Sequence, residues 1–215
     1  AIDFDLHTTP GSYTVIATNG SGCVRTLAGS LTVSVNSLPV PFEVTGGGSY
    51  CAGGTGVYVG LSGSVSGVNY QLYRGPTMVG GPSAGTGSVL DFGVQTVDGA
   101  YTVVATNSAT GCTANMTGSA TVTTNAIPVV YTVIGGGSYC TGGTGLMVGL
   151  SGSGMGINYQ LKRGTTLVGG TVAGTGMALD FGHQTAAGIY TVTASDALSG
   201  CSTDMSGSTA ININA

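Results

Sequence analysis

The sequence has few charges and no tryptophan. Of its 215 residues, four are lysine or arginine and eight are aspartate or glutamate, so that 6% are charged, whereas a soluble domain carries about 25%. Four basic side chains are too few to neutralise a run of phosphates, which excludes nucleic-acid binding through a basic patch. No apolar run approaches the roughly 18 residues that cross a bilayer as a helix. We therefore expect no nucleic-acid partner and no membrane insertion.

Glycine is abundant, and it is arranged in a repeat. It fills 41 positions, a share far above the usual value of about 7%. The motif GGGSYC at 46–51 recurs 89 residues later, and 38–126 aligns with 127–215 without a gap. Residues 1–37 match the rear part of the same unit. We predict the C-terminal part of a truncated domain over 1–37 and complete repeats over 38–126 and 127–215, joined by short proline-containing linkers that favour a semi-rigid rod.

The residue pattern within each repeat predicts strands only. No segment has the 3.6-residue apolar period of a helix, and short β-branched or aromatic runs are separated by glycine clusters at hairpin spacing. The segment that begins at Tyr101 alternates like a half-buried strand, and Tyr101 itself resembles the tyrosine corner of Ig-like domains. We predict an all-β fold of tandem Ig-like β-sandwich domains, head to tail, with about seven strands each. In the second segment the strands are expected near 39–45, 57–62, 68–74, 77–80, 88–92, 100–106 and 113–123.

The cysteines have a regular spacing. Cys51 and Cys112 are 61 residues apart, and so are Cys140 and Cys201. Equal spacing predicts one disulfide per domain, Cys51–Cys112 and Cys140–Cys201, between the loop before the second strand and the last hairpin. Reduced, buried cysteines are the alternative. Cys23 is expected to be unpaired within this sequence, and the disulfides imply an extracellular or cell-surface location.

The first segment is expected to be incomplete. Its three predicted strands cannot close a sandwich, so one apolar face is left uncovered. A longer chain that continues upstream is the favoured source of the missing strands, and another subunit is the alternative. The side chains expected to be exposed on this face are Ile2, Phe4, Tyr13, Val15 and Ala17.

The polar residues form no catalytic set. Ser83 lies in a GxSxG pattern, but the equivalent stretch 170–174 lacks the serine and 38–126 contains no histidine to act as a base. The sequence has no CxxC motif and no DxDxDG loop, so it predicts no zinc or calcium site. We expect no enzyme activity, no catalytic or metal-binding residues, and no cofactor.

Two charged positions occur in both complete repeats. Arg74 and Asp91 are matched by Arg163 and Asp180. Structural ion pairs Arg74–Asp91 and Arg163–Asp180 are the favoured interpretation, and a ligand site is the alternative. A sugar-stacking platform is a weaker hypothesis, because two of its four tyrosines change in the next repeat; the four are Tyr50, Tyr58, Tyr73 and Tyr139.

The order of the motifs resembles a known repeat type. GGGSYCxGGTG is followed by GLSGS, NYQL, LDFGxQT, GxYTVxA and a GC before the last strand. This order is similar to the Ig-like repeats of very large bacterial surface proteins, which are commonly exported by the type IX secretion system and act as adhesins or surface fibres. The resemblance implies a structural or adhesive role and supplies no catalytic residues.

The sparse charge favours the same role. Near-neutral walls suit lateral packing or strand addition between copies, whereas a free monomer normally carries more charge. We expect a structural or adhesive extracellular protein, the building block of a cell-surface filament or adhesin stalk. Its expected partners are copies of itself in a homopolymer or neighbouring repeats of a longer chain, with surface glycans as a further candidate. The alternative is a carbohydrate-binding or spacer module of a large secreted enzyme.

Overall fold

The computed structural model describes residues 2–215, and within them the chain forms strands and turns without a helix. Residues 2–37 contain β1 (Gly11–Tyr13), β2 (Ile16–Thr18), β3 (Val24–Thr26) and β4 (Leu31–Val33). The second segment contains β5 (Val44–Gly46), β6 (Gly48–Cys51), β7 (Val57–Leu61), β8 (Val68–Arg74), β9 (Thr77–Ala84), β10 (Leu90–Gln95), β11 (Gly99–Asn107), β12 (Thr113–Asn115) and β13 (Ala120–Asn125). The third contains β14 (Val133–Gly135), β15 (Gly137–Cys140), β16 (Leu146–Leu150), β17 (Ile157–Arg163), β18 (Thr166–Ala173), β19 (Leu179–Gln184), β20 (Gly188–Asp196), β21 (Ser202–Asp204) and β22 (Thr209–Asn214).

Each complete repeat has one three-stranded sheet and one larger sheet. In the third repeat the orders are β14-β16-β19 and β15-β22-β20-β17-β18, with β21 paired to β20. The second repeat has the orders β5-β7-β10 and β6-β13-β11-β8-β9, with β12 paired to β11. Two such sheets form an Ig-like β-sandwich. The predicted all-β, Ig-like fold class is confirmed.

Apolar side chains from both sheets form the core of the third repeat. Val148 and Leu150 of β16 cluster with Tyr159 and Leu161 of β17 and with Val192 of β20, and each is at most 1% exposed. Burial of one such side chain contributes about 1.5–3 kcal/mol. Along β20 the buried residues alternate with more exposed ones, as a strand with one covered face requires.

Residue contacts divide the chain into two compact units. The first contains residues up to 45 together with 60–92 and 101–119, and the second contains 46–59, 93–100 and 120–215. The first unit buries Leu61, Tyr70, Leu72, Tyr101 and Val103, which lie 89 residues before core residues of the third repeat. The boundaries predicted from the repeat, after 37 and after 126, do not coincide with this division and stay predictions.

The glycine motif of each repeat moves the chain from one sheet to the other. The predicted strand 39–45 is largely wrong, because the first strand of the second repeat, β5, begins only at Val44 and the chain then crosses to β6 in the larger sheet. Gly46 and Gly47 have φ angles of 88° and 76°, and a Cβ at Gly46 would overlap the carbonyl oxygen of Tyr58. Only glycine fits such a backbone at such a close approach. The motif therefore places Cys51, the last residue of β6, at the end of the larger sheet.

The tyrosine-corner hydrogen bond occurs at the start of β20. The hydroxyl of Tyr190 donates to the carbonyl oxygen of Ala186 at 2.7 Å, and the ring is 1% exposed. Tyr13 makes the same bond to Thr9 at 2.8 Å. A buried hydroxyl that is paired in this way ties the strand to the loop before it.

Candidate functional site

A cystine joins the second repeat to the third. Cys51 and Cys201 are disulfide-bonded, with an S–S distance of 2.02 Å and a Cα–Cα distance of 5.5 Å. Cys23, Cys112 and Cys140 are free. The pairs predicted within each repeat, Cys51–Cys112 and Cys140–Cys201, are therefore wrong, and so is the expectation of one disulfide inside each domain.

The two cysteines of one repeat lie at opposite ends of its larger sheet. In the third repeat Cys140 is in register with Asn214 at the end of β22. Cys201 instead follows the far end of β20. There the N–H of Asp196 donates to the carbonyl oxygen of Cys201 at 2.8 Å. β22 pairs with the beginning of β20 at Gly188, eight residues before Asp196. At about 3.3 Å per residue, Gly188 and Asp196 are roughly 26 Å apart along β20. A disulfide needs its two Cα atoms within about 7 Å of each other. Equal sequence spacing therefore does not bring these two thiols together.

Cys51 lies at the end of the second repeat that leads into the third. It is in register with Asn125, the last residue of β13, and the N–H of Ala52 donates to the carbonyl oxygen of Asn125 at 2.8 Å. The chain then continues into the third repeat. Cys51 and Cys201 belong to the same compact unit, so the fold brings together a sheet end and the turn of the following repeat.

Asp196 organises the turn that carries Cys201. Its Oδ1 accepts hydrogen bonds from the N–H of Ser199 at 2.7 Å, the hydroxyl of Ser199 at 2.9 Å and the N–H of Leu198 at 3.0 Å. The N–H of Cys201 donates to the Ser199 hydroxyl at 3.3 Å. These bonds, the Ser199 N–H first, stabilise the carboxylate and hold the pKa of Asp196 below its usual value.

The hydrogen bonds to Asp196 are expected to weaken in acid. Because the folded pKa is lowered, their contribution is complete above the pKa of the unfolded chain and is lost as the pH falls through the folded value. In an NMR titration the chemical shifts of the Leu198 and Ser199 amides should change at pH values below the range in which an ordinary aspartate titrates. The control is the equivalent turn, where the amide oxygen of Asn107 accepts from Ala109 and Thr110 at 2.9 and 3.1 Å and does not titrate. Equal acid shifts at both turns would contradict this assignment.

Residues 2–37 leave a largely apolar groove open. Ile2 and Phe4 are 83% and 56% exposed, and Ala17 is also exposed, as expected, whereas Tyr13 and Val15 are half-buried. The corresponding positions of the second repeat, Tyr101, Val103 and Ala105, are at most 1% exposed. The groove has a volume of about 520 Å³, and its lining includes Phe4, His7, Tyr13, Val15, Leu27 and Leu31.

The structure places the other candidate residues in strands and turns. Ser83 lies inside β9 opposite Tyr70, not on the strand-to-helix turn of a nucleophile elbow. Asp180 accepts a hydrogen bond from the N–H of Gly182 at 2.7 Å, and Arg163 lies on β17 opposite Tyr190. The ion pairs Arg163–Asp180 and Arg74–Asp91 stay predictions.

Two of the four tyrosines considered for sugar stacking have structural hydrogen bonds. The hydroxyl of Tyr50 donates to the carbonyl oxygen of Thr96, and that of Tyr139 donates to Thr185 at 2.6 Å. Tyr58 is 63% exposed. These two hydroxyls thus tie the strands that end in Cys51 and Cys140 to a neighbouring loop.

Over residues 2–215 no group of three or more His, Cys, Asp or Glu side chains is arranged to hold a metal ion. Nor does any helix in this range have the length and apolar character needed to span a membrane.

No protein-family model and no curated protein matches the chain. Among solved structures, fibronectin(III)-like modules of Clostridium thermocellum CbhA align at 15% identity over 80% of this chain and 95% of theirs, with a TM-score of 0.41. Three N-terminal domains of the bacteriophage RB49 outer capsid protein Hoc align at 15% identity over 80% of this chain and 59% of theirs, with a TM-score of 0.36. The N-terminal four Ig domains of Dscam1 isoform 7.44 align at 12% identity over 94% and 54%, with a TM-score of 0.29. At these scores the likenesses carry no weight for function.

Proposed function

We propose that the chain is a structural repeat segment of a secreted protein that builds an extracellular filament or adhesin stalk. The observation that supports this role is the Cys51–Cys201 cystine between successive repeats. A bridge inside one repeat stabilises that repeat alone, whereas this bridge restrains the joint between two. Stable disulfides form in oxidising compartments, which is consistent with an extracellular location.

The position of the bridge in the chain also suits a load-bearing role. In the amino-acid sequence, Cys51 comes near the start of the second repeat and Cys201 near the end of the third, with a separation of 150. Tension along the polypeptide passes from Cys51 through the two sulfur atoms to Cys201. The 149 residues between the two cysteines are therefore kept from extending even where their strands come apart.

The assignment to bacterial surface proteins, the packing between copies and the glycan contacts are proposed from the sequence. The motif order resembles Ig-like repeats of bacterial surface proteins exported by the type IX secretion system, and the near-absence of charge favours packing between copies. The proposed partners are copies of the chain in a homopolymer, neighbouring repeats, and surface glycans at an adhesive tip.

Single-molecule stretching tests the load-bearing role. With the cystine intact, pulling the full chain from its two ends should not release residues 52–200. Reduction should add an extension of about 50 nm, from 149 residues at about 3.6 Å each. The Cys112→Ala chain is the matched control and should behave like the parent. An extension that is the same before and after reduction would contradict the load-bearing role.

A binding assay separates the proposal from a carbohydrate-binding module. The full chain should form fibres or rods in negatively stained images as its concentration rises, whether or not it also binds surface polysaccharides. Saturable binding without fibre formation would support the alternative, a carbohydrate-binding or spacer module of a large secreted enzyme.

A further inference from the structure

Three cysteines close the same kind of turn, which joins β2 to β3, β11 to β12 and β20 to β21. In each turn the N–H of an opening Asn or Asp donates to the carbonyl oxygen of the cysteine, and the side chain of that residue accepts hydrogen bonds from N–H groups of the turn. We call these the turn cysteines. The backbone pairs and their N···O distances are Asn19–Cys23 at 3.0 Å, Asn107–Cys112 at 2.9 Å and Asp196–Cys201 at 2.8 Å.

Two cysteines lie at the other end of the larger sheet, and we call Cys51 and Cys140 the sheet-end cysteines. Cys51 is in register with Asn125, and Cys140 is in register with Asn214. In both, the N–H of the next residue donates to the carbonyl oxygen of that asparagine, at 2.8 and 2.9 Å. The two sheet-end cysteines thus have the same backbone setting, but only one of them is bonded.

We propose that Cys140 forms a disulfide with the turn cysteine of a further repeat of this type, which on a second copy of the chain is Cys23. The precedent is Cys51–Cys201, in which the sheet-end cysteine of one repeat is joined to the turn cysteine of the next. Cys140 and Cys23 are both exposed, whereas Cys112 is partly buried. The inference deepens the structural role proposed above and rests on it, because end-to-end growth of the array is what places a sheet-end cysteine next to a turn cysteine.

The bond forms by thiol–disulfide exchange with a small disulfide such as oxidised glutathione. The Cys140 thiolate attacks one sulfur of the oxidant, forms a mixed disulfide and expels one glutathione thiolate. The Cys23 thiolate then attacks the Cys140 sulfur and expels the second glutathione thiolate. Two cysteines are oxidised and one glutathione disulfide is reduced to two thiols, which take up the two protons that the cysteines lose.

Successive bridges of this kind enclose overlapping stretches of the array. The loop closed by Cys51 and Cys201 contains Cys140, and the loop that begins at Cys140 contains Cys201. The joint between the second and third repeats and the joint that follows the third repeat then each carry a cystine. Reduction would therefore loosen both of these joints.

The test is oxidation of the full chain with oxidised glutathione, followed by alkylation of free thiols, a non-reducing gel and peptide mapping. We expect a ladder in steps of 20.9 kDa that collapses on reduction, and a cross-linked peptide pair containing Cys140 and Cys23. The variant Cys140→Ser should lose the ladder completely. The matched variant Cys112→Ser should keep it.

Native material distinguishes the two sources of the partner. If a second copy supplies the turn cysteine, reduction of the native protein yields chains of this length. If a further repeat of the same polypeptide supplies it, reduction leaves one long chain and the mapped partner of Cys140 lies in that repeat. Both outcomes support the pairing.

Recovery of Cys140 as an alkylated free thiol in oxidised, assembled material would overturn the inference, and so would a bond from Cys140 to Cys112 or Cys201 of its own chain. The proposed filament role can be contradicted independently of the Cys140 bridge. Fibres that form with Cys140 free would retain the filament role and remove the bridge, whereas bridged chains that form no fibre would do the opposite.

Discussion

The double variant Cys51→Ala/Cys201→Ala should lower the thermal stability of the chain substantially. The bridge closes a loop with a sequence separation of 150, and in the chain-entropy model such a loop restricts the unfolded state by about 5 kcal/mol. For a unit of this size that loss corresponds to a fall of roughly 10–20 °C in the melting temperature. Differential scanning calorimetry of the oxidised chain measures it.

The control is the double variant Cys112→Ala/Cys140→Ala, which removes two free thiols. With both proteins isolated as monomers that carry no bond between copies, its melting curve should match that of the parent. The pairing inside each repeat that the sequence suggested predicts a different result, since each double variant would then break both bridges. Equal losses in the two variants would therefore contradict the Cys51–Cys201 bond.

Replacing Gly174 with alanine should destabilise the third repeat strongly. A Cβ at Gly174 would overlap the backbone carbonyl oxygen of Gly154 and lie 3.0 Å from the ring of the buried Tyr159. A carbonyl held in a turn cannot rotate away as a flexible side chain can, so the strands must separate. We expect a loss of about 3 kcal/mol, or a melting temperature roughly 10–20 °C lower for this repeat.

Gly170, which lies in β18 four residues before Gly174, is the matched control. A Cβ there would have no heavy atom within 4 Å. Gly170→Ala should change the free energy of unfolding by no more than about 0.5 kcal/mol, and it can stabilise the repeat by restricting the unfolded chain. If urea unfolding gives the same stability for both variants, the close approach at Gly174 is not as described.

Local patterns predicted most of the strands. The alternation around Tyr101 corresponds to β11, and the predicted segments 57–62 and 68–74 correspond to β7 and β8 within one residue. These strands lie across a core, so burial imposes the period of two on their sequence. The pattern misled at 39–45 and missed β6, because a strand that changes sheets after three residues leaves no alternation to detect.

The candidate site was only partly visible in the sequence. The spacing predicted Cys51, Cys112, Cys140 and Cys201 as half-cystines, and the structure has the bond between Cys51 and Cys201 with Cys112 and Cys140 free. The GGGSYC motif marked the segment that carries the sheet-end thiol. The register of the parallel pair β6–β13 was not predictable, because it depends on the positive φ angles of the glycine run. That register decides which end of the sheet Cys51 reaches.

The sequence by itself determined the repeat, the all-β class and the regular placement of the cysteines, since these depend on periodicity and spacing along the chain. Only the tertiary structure decided which cysteines bond. A shift of 89 residues leaves every cysteine with an equivalent partner, so spacing cannot distinguish a bridge within a repeat from one between repeats. A disulfide requires Cα atoms a few ångströms apart, and that condition is met between Cys51 and Cys201 because the sheet end of one repeat leads directly to the turn of the next.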